Sequence, residues 1–349
     1  MPNSALAACR RTVAAIFAVL LVGIVMATMS APPSRADIDA FAYNRLLGRG
    51  MNLADALDAP YEGAWGVTLK AEYFQAIKNA GFNSVRIPIR WSAHAQTQPP
   101  YAIDPAFFNR VDWAIDQALS KNLTVVIDVH HYIEMDQSPA DAAPRLLALW
   151  QQIAARYRNW PPTLFFELLN EPHDRLTDQL WNEIFPELLQ AIRTTNPKRM
   201  VIIGPSYWNN LNHLAQLKLP QSDHWLIATF HYYQPFRFTH QGQSWLPASQ
   251  AWQGTGWGTT EDRQALRSDI ERAAAWGLQN GRPLYLGEFG ASEKAETQAR
   301  ISWTRAVASE AEKLGLSWAY WQFCTSFGAY DTVTETWNQP LLESLTGRN

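Results

Sequence analysis

A single (β/α)8 barrel is the fold this sequence predicts, and three observations point to it. Eight short β-rich runs alternate with stretches whose apolar residues recur every three to four positions, the pattern of a parallel sheet with helices packed outside it. No Ser/Gly/Pro-rich linker, low-complexity tract or composition step divides residues 37–349. The chain of 349 residues, 47% hydrophobic and 17% charged, suits one large soluble domain of this class.

In chain order the β-rich runs are Arg49 to Leu53, Ser84 to Ile89, Thr124 to His130, Thr163 to Leu169, Met200 to Gly204, Leu226 to His231, Leu284 to Glu288 and Ser317 to Phe323. Between them the apolar spacing predicts helices over Phe107 to Leu119, Leu146 to Tyr157, Leu180 to Ile192, Asp262 to Leu278 and Ala299 to Leu314. Stop signals separate helix from strand at Asn79-Ala80-Gly81, Asn196-Pro197 and Asn280-Gly281. Eight such units close one barrel, and the tryptophan-rich stretch from Gln234 to Thr260 reads as one wall of an open groove.

Residues 1–36 read as an export signal: Arg10 and Arg11 precede an apolar run from Val13 to Met29, and Ser34-Arg35-Ala36 offers a cleavage site. A membrane anchor is the rival reading, since the run nears the lower length limit for a span. Cleavage after Ala36 removes three basic and no acidic residues and leaves a net charge of −6. That balance gives no footprint for nucleic acid or an anionic membrane, so neither is an expected partner once the signal is gone. Cys9 leaves with the signal, and Cys324 remains as a buried filler with no activating neighbour in its segment.

In such a barrel the active site forms where the strands end. Those positions are unusually polar: Arg86 in strand 2, His130 and His131 after strand 3, Asn170-Glu171-Pro172 after strand 4, His231 and Tyr233 after strand 6, Glu288 in strand 7 and Trp321 in strand 8. One strand-end carboxylate alone reads as a helix cap or surface ion pair. Two at matching barrel positions, Glu171 and Glu288, fit a pair that divides acid/base and nucleophilic work.

Taken in order, the segments RGMNL at 49–53, VRIPIRW at 85–91, DVHHY at 128–132, FFELLNEP at 165–172, HYYQPFRFTHQG at 231–242, GEFG at 287–290 and WAYWQFC at 318–324 resemble family 5 of the glycoside hydrolases, its bacterial endoglucanases above all. The likeness covers essentially the whole mature chain. It implies a retaining cleavage of β-1,4-linked glucan with Glu171 as acid/base and Glu288 as nucleophile. Such a pair must differ in protonation: Glu288 is expected to be held as carboxylate by Arg86 and Tyr233, and Glu171 to keep its proton at mildly acidic pH through burial and the negative field of Glu288.

The resemblance further implies that Asn170 bonds the sugar 2-hydroxyl, that His130 and His231 line the same subsite, and that Trp321 forms its floor. Asn52, His131, Tyr233 and Trp208 join this substrate-binding set; Trp245, Trp252 and Trp257 are further rim candidates, each as apt for packing as for stacking on sugar. One departure stands out: this chain has Leu53-Ala54-Asp55 and Asp58 where close members commonly have Leu-Gly-Asn and a glutamate, which puts the outer sugar subsite in doubt.

Other classes fare less well. A metal site at His130-His131 is disfavoured because neighbouring strand residues point to opposite faces, and no cofactor is expected. Gly204-Pro205-Ser206 begins a nucleophile elbow that position 208, a tryptophan, leaves incomplete. A non-catalytic sugar-binding protein is expected to lack one of the carboxylates. The same mechanism acting on mannan, glucomannan or xyloglucan stays open, because epimers differ by one or two hydroxyl contacts. The expected partner is a β-1,4-linked polysaccharide, bound by a monomer.

Overall fold

The computed structural model describes residues 40–347, and residues 1–36, read from the sequence as an export signal, lie outside them. Eight parallel strands close a barrel in sequence order: β1 (Arg49–Asn52), β2 (Ser84–Ile87), β3 (Thr124–Asp128), β4 (Leu164–Glu167), β5 (Val201–Ile203), β6 (Leu226–Tyr232), β7 (Leu284–Phe289) and β8 (Ser317–Tyr320). The expected fold class is the one observed.

All eight strands fall on the expected runs, but six stop one to three residues short at their C-terminal ends; β6 and β7 run one residue further. The early stops have a common cause. Polar residues at the strand ends leave the ladder to face the barrel mouth, where the chain enters turns no strand can follow: His131 has φ 49° and Glu171 φ 46°.

The expected helices form and extend outward by capping. Asp104 caps the helix Pro105–Leu119, and Thr259 and Asp262 build a reciprocal capping box on Thr260–Asn280. Gly281, at φ 60°, closes that last helix in the left-handed conformation glycine adopts freely. The fifth unit departs from the repeat: β5 and β6 are joined by a short turn, Ser206–Asn209, whose last three residues are left-handed, and a 3-10 turn, Leu211–Gln216, rather than a full helix.

Two apolar layers hold the barrel. The larger fills the space between strands and helices with outward residues such as Val125, Phe166, Ile203 and Leu286. The smaller lies inside the lower barrel, where Val126, Phe165, Ile202, Ile227, Tyr285 and Ala319 meet. The helix Ala40–Leu47 plugs that end: Asn44 donates to the Leu284 carbonyl at 3.0 Å and accepts from Ser317 at 2.7 Å. The alternation that sends these residues inward also sends Asn52, Arg86, Asp128 and Glu167 inward one step higher. Strand register sets Asn52 beside Arg86 and Asp128 beside Glu167.

Candidate active site

The upper barrel is organised by one buried cation. Arg86 donates through Nε and Nη2 to both Glu167 oxygens (2.7 and 3.0 Å), through Nη1 to Asn52 Oδ1 (3.0 Å) and Glu288 Oε1 (2.8 Å), and through Nη2 to Asn170 Oδ1 (2.7 Å). Asp128 Oδ2 lies 2.8 Å from Nη2 as well. Burial alone disfavours the charged guanidinium, but the surrounding carboxylates, Glu167 foremost, hold it charged well above its usual range. A single planar donor array thereby fixes residues from β1, β2, β3, β4 and β7.

Glu288 is nearly enclosed. Arg86 holds one carboxylate oxygen, and the Tyr233 hydroxyl donates to the other at 2.8 Å, the two contacts expected of these residues. Burial, with the charge of Glu171 added, leaves its pKa above the usual carboxylate range, although His231, Arg86 and Tyr233 each pull it down. Glu171 is more open, with its side chain 22% exposed, and His231 Nδ1 lies 2.7 Å from its Oε1. Burial raises Glu171 to about 7, opposed by His173 and Arg86 and assisted by Glu167. The expected direction holds, with burial as the main cause; the repulsion between the two carboxylates shows on Glu288, whose pKa Glu171 helps to raise.

His231 stands between the two carboxylates, its Nδ1 3.5 Å from Glu288 Oε2. One oxygen of Glu171, one of Glu288 and a ring nitrogen of His231 all lie within 4.8 Å of one another. The turn carrying Glu171 is tied down on both sides: His173 Nδ1 donates to the Glu171 carbonyl at 2.5 Å, and Trp208 N–H donates to Pro172 O at 3.2 Å.

Asn170, His130 and Trp321 border the same cleft. With its oxygen engaged by Arg86, Asn170 presents its amide N–H groups. His130 donates Nδ1–H to Asp128 at 2.9 Å, burial keeps its ring neutral, and the ring stacks on Trp321 with centroids 5.9 Å apart and planes at 10°. Trp208 is 48% exposed and stacks on His173. Of the other rim tryptophans, Trp245 is exposed and Trp252 half-buried beside Phe236. Trp257 is buried against Phe238 and Arg263 and belongs to packing.

Two expectations need correction. Asn52 is fully buried and spends its amide on the Gly287 carbonyl and the Arg86 guanidinium, so it supports the site without reaching a sugar. The reasoning that kept His130 and His131 from sharing one ion also fails. β3 ends at Asp128 and His131 turns at positive φ, so ligand atoms of Asp58, His130 and His131 lie within 4.8 Å of one another. Asp58 is buried, Oδ2 has no hydrogen-bond partner, and burial beside Asp55 raises its pKa to about 8.

Sequence reasoning passed over Asp128, Glu167 and Asn209. The first two were open to discovery, because a charged residue inside an otherwise apolar strand must find a partner, and Arg86 is that partner. The esterase alternative gains no support: Ser206 is buried and donates to Asp178 at 2.6 Å rather than to an imidazole. Cys324 is half-buried, and burial pushes its thiol up to about 12.

A glycosidic oxygen leaves only with a proton, and its anomeric carbon needs a carboxylate on the other face, so two acids facing one groove at the mouth of such a barrel mark a glycoside hydrolase. The model of the glycosyl hydrolase family 5 cellulases matches residues 48–326, and the chain belongs to that family. It is 36% identical to endoglucanase H of Acetivibrio thermocellus over 90% of this chain, while spanning 35% of that protein's length. It also resembles the solved structures of Thermotoga maritima Cel5A with cellobiose (50% identity) and with mannotriose (49%). Each likeness has a TM-score of 0.87 and covers 88% of this chain and 100% of the other.

Proposed function

We propose that the protein is an endo-β-1,4-glucanase that hydrolyses internal bonds with retention, Glu288 acting as nucleophile and Glu171 as acid/base. The observation that carries this reading is the spacing: an oxygen of each carboxylate lies within 4.8 Å of one on the other. Retaining pairs stand about 5 to 5.5 Å apart, whereas inverting pairs need about 6.5 to 9.5 Å to admit water between them. Glu288 attacks the anomeric carbon while Glu171 gives its proton to the departing oxygen. A water then gives a proton to Glu171, bonds the anomeric carbon and releases Glu288.

The surroundings suit these roles. Arg86 and Tyr233 favour the ionised form of the nucleophile against its burial, and burial keeps the acid protonated at mildly acidic pH, up to about 7. The free amide of Asn170 is available to a sugar 2-hydroxyl, a bond that strengthens in the transition state. His130 and Trp321 offer a stacked floor for the pyranose ring, and His131 and Trp208 flank it as exposed contacts.

Proton NMR of the first products from a cello-oligosaccharide, with viscosity followed against reducing ends, tests both halves. Retention gives the β-anomer first, and endo action drops viscosity early; an initial α-anomer or slow viscosity loss would contradict the reading. The mannotriose complex of Cel5A supports a second substrate, mannan or glucomannan, at the same site. Reducing-end release from carboxymethylcellulose, mixed-linkage glucan, glucomannan, mannan and xyloglucan side by side ranks them. Export with cleavage after Ala36 and monomeric action belong to the same proposal; N-terminal sequencing of the exported protein and its solution mass test them.

A further inference from the structure

Behind His231 lies a buried amide that the mechanism above does not use. Asn209 is fully buried, sits at φ 51° as the third of three consecutive left-handed residues, and brings Nδ2 to 3.3 Å from His231 Nε2. Its Oδ1 has no hydrogen-bond partner. Room for the side chain is specific: a Cβ on Gly204 would fall 2.1 Å from Asn209 Oδ1, and one on Gly287 would meet His231 Nε2 at 3.1 Å. A run of non-glycine residues held left-handed is disfavoured at every step, so the loop is kept in this shape by what surrounds it. The bridge from Asn210 to His231 and the bond from Trp208 N–H to Pro172 O couple that loop to both the histidine and the Glu171 turn.

The chain of contacts runs Asn209, His231, Glu171. A neutral imidazole carries one proton, and the partner of one nitrogen decides the role of the other. With Asn209 donating to Nε2, the proton must sit on Nδ1, from which it is donated to Glu171 Oε1 at 2.7 Å. That bond favours the carboxylate of Glu171. Without the amide, His231 is free to carry its proton on Nε2 and to accept, through Nδ1, from a protonated Glu171.

We propose that Asn209 is a positioning residue that holds His231 as an Nδ1–H donor and so prepares Glu171 to accept a proton from water in the second half-reaction. The proposal rests on the reading of Glu171 as acid/base. Several other groups face this pair: Arg86, Glu167, His173, Tyr233 and Glu288 around Glu171, with Asp136 beyond His173, and Asp128 and His130 near His231. None of them touches Nε2 in the way Asn209 does. When water attacks the glycosyl-enzyme, its oxygen bonds the anomeric carbon, its proton goes to Glu171, and the ester bond to Glu288 breaks. Only that step needs an ionised Glu171.

The test uses Asn209→Gly, which removes the amide and keeps a residue at ease with positive φ. With 2,4-dinitrophenyl β-cellobioside the leaving group needs no acid, so kcat/KM reports nucleophilic attack and kcat reports attack by water. The variant is expected to keep kcat/KM, to lose kcat about tenfold, and to need a pH about one unit higher for half-maximal kcat. Azide, which attacks without a base, should restore kcat. An unchanged kcat and kcat profile, or an equal fall in kcat and kcat/KM that azide does not relieve, would overturn the proposal. Glu171→Ala run alongside isolates the underlying reading: if it shows no azide rescue with this substrate, the acid/base assignment itself is wrong, whatever Asn209→Gly does.

Discussion

Two levels of the barrel interior, one step of strand alternation apart, follow opposite physical rules. In the lower level Val126, Phe165, Ile202, Ile227 and Tyr285 pack together under a plugging helix, and their identity is set by volume. In the upper level Asn52, Arg86, Asp128, Glu167 and Glu288 fill a similar space with charge, and one guanidinium faces three carboxylates. Such a cluster is weak as a source of stability, because desolvation offsets most of the Coulombic attraction. What it supplies is fixed direction. The lower level holds the strands together, and the upper one spends part of that stability on aiming Glu288 and Asn170.

Removing the cation should separate the two levels most sharply. Arg86→Met strands buried carboxylates and is expected to cost about 3 to 5 kcal/mol of stability. The folded fraction should lose at least about a thousandfold in kcat, because Glu288 and Asn170 lose their common anchor. Urea melts with activity measured well below the transition check both numbers. A folded variant of near-normal activity would show that the upper level is not organised by Arg86.

Ile202→Ala in the lower level is expected to cost about 2 to 5 kcal/mol through the cavity it leaves, with kcat/KM of the folded enzyme within about twofold of the parent. A large loss of activity at full occupancy of the fold would mean that the lower level also positions the chemistry.

The smallest effect is the pH profile. Glu171 must hold its proton for the first half-reaction, and its folded pKa is raised to about 7 by burial. With an oligosaccharide substrate kcat/KM should therefore be lost as pH rises through about 7, and Glu167→Gln, by removing the negative neighbour that helps raise that pKa, should move the limb to lower pH. Initial rates from pH 4 to 9 check the sign.

The lower level was legible in the sequence, because apolar alternation and stop signals mark strands and helices wherever packing decides residue type. The two acids and most of their neighbours were legible too, from their places at strand ends and the ordered resemblance. What escaped depends on contacts that sequence spacing does not carry. Asn52 looks like a strand-end donor to sugar, and only the register that sets it beside Arg86 shows its amide spent within the barrel. His131 looks like a residue on the far face until the chain leaves the strand at Asp128. Asn209 reads as an ordinary loop amide, since three successive left-handed residues have no signature in Tyr-Trp-Asn.

The central claim is that Glu288 forms the covalent bond to the sugar, and one measurement reaches it directly. Glu288→Ala, incubated with 2,4-dinitrophenyl β-cellobioside and azide, should be inactive without azide and partly active with it. Azide would enter the vacated face, and the product should be the α-cellobiosyl azide, inverted relative to the substrate. A variant that turns over near the parent rate without azide, or that yields the β-azide, would contradict the account.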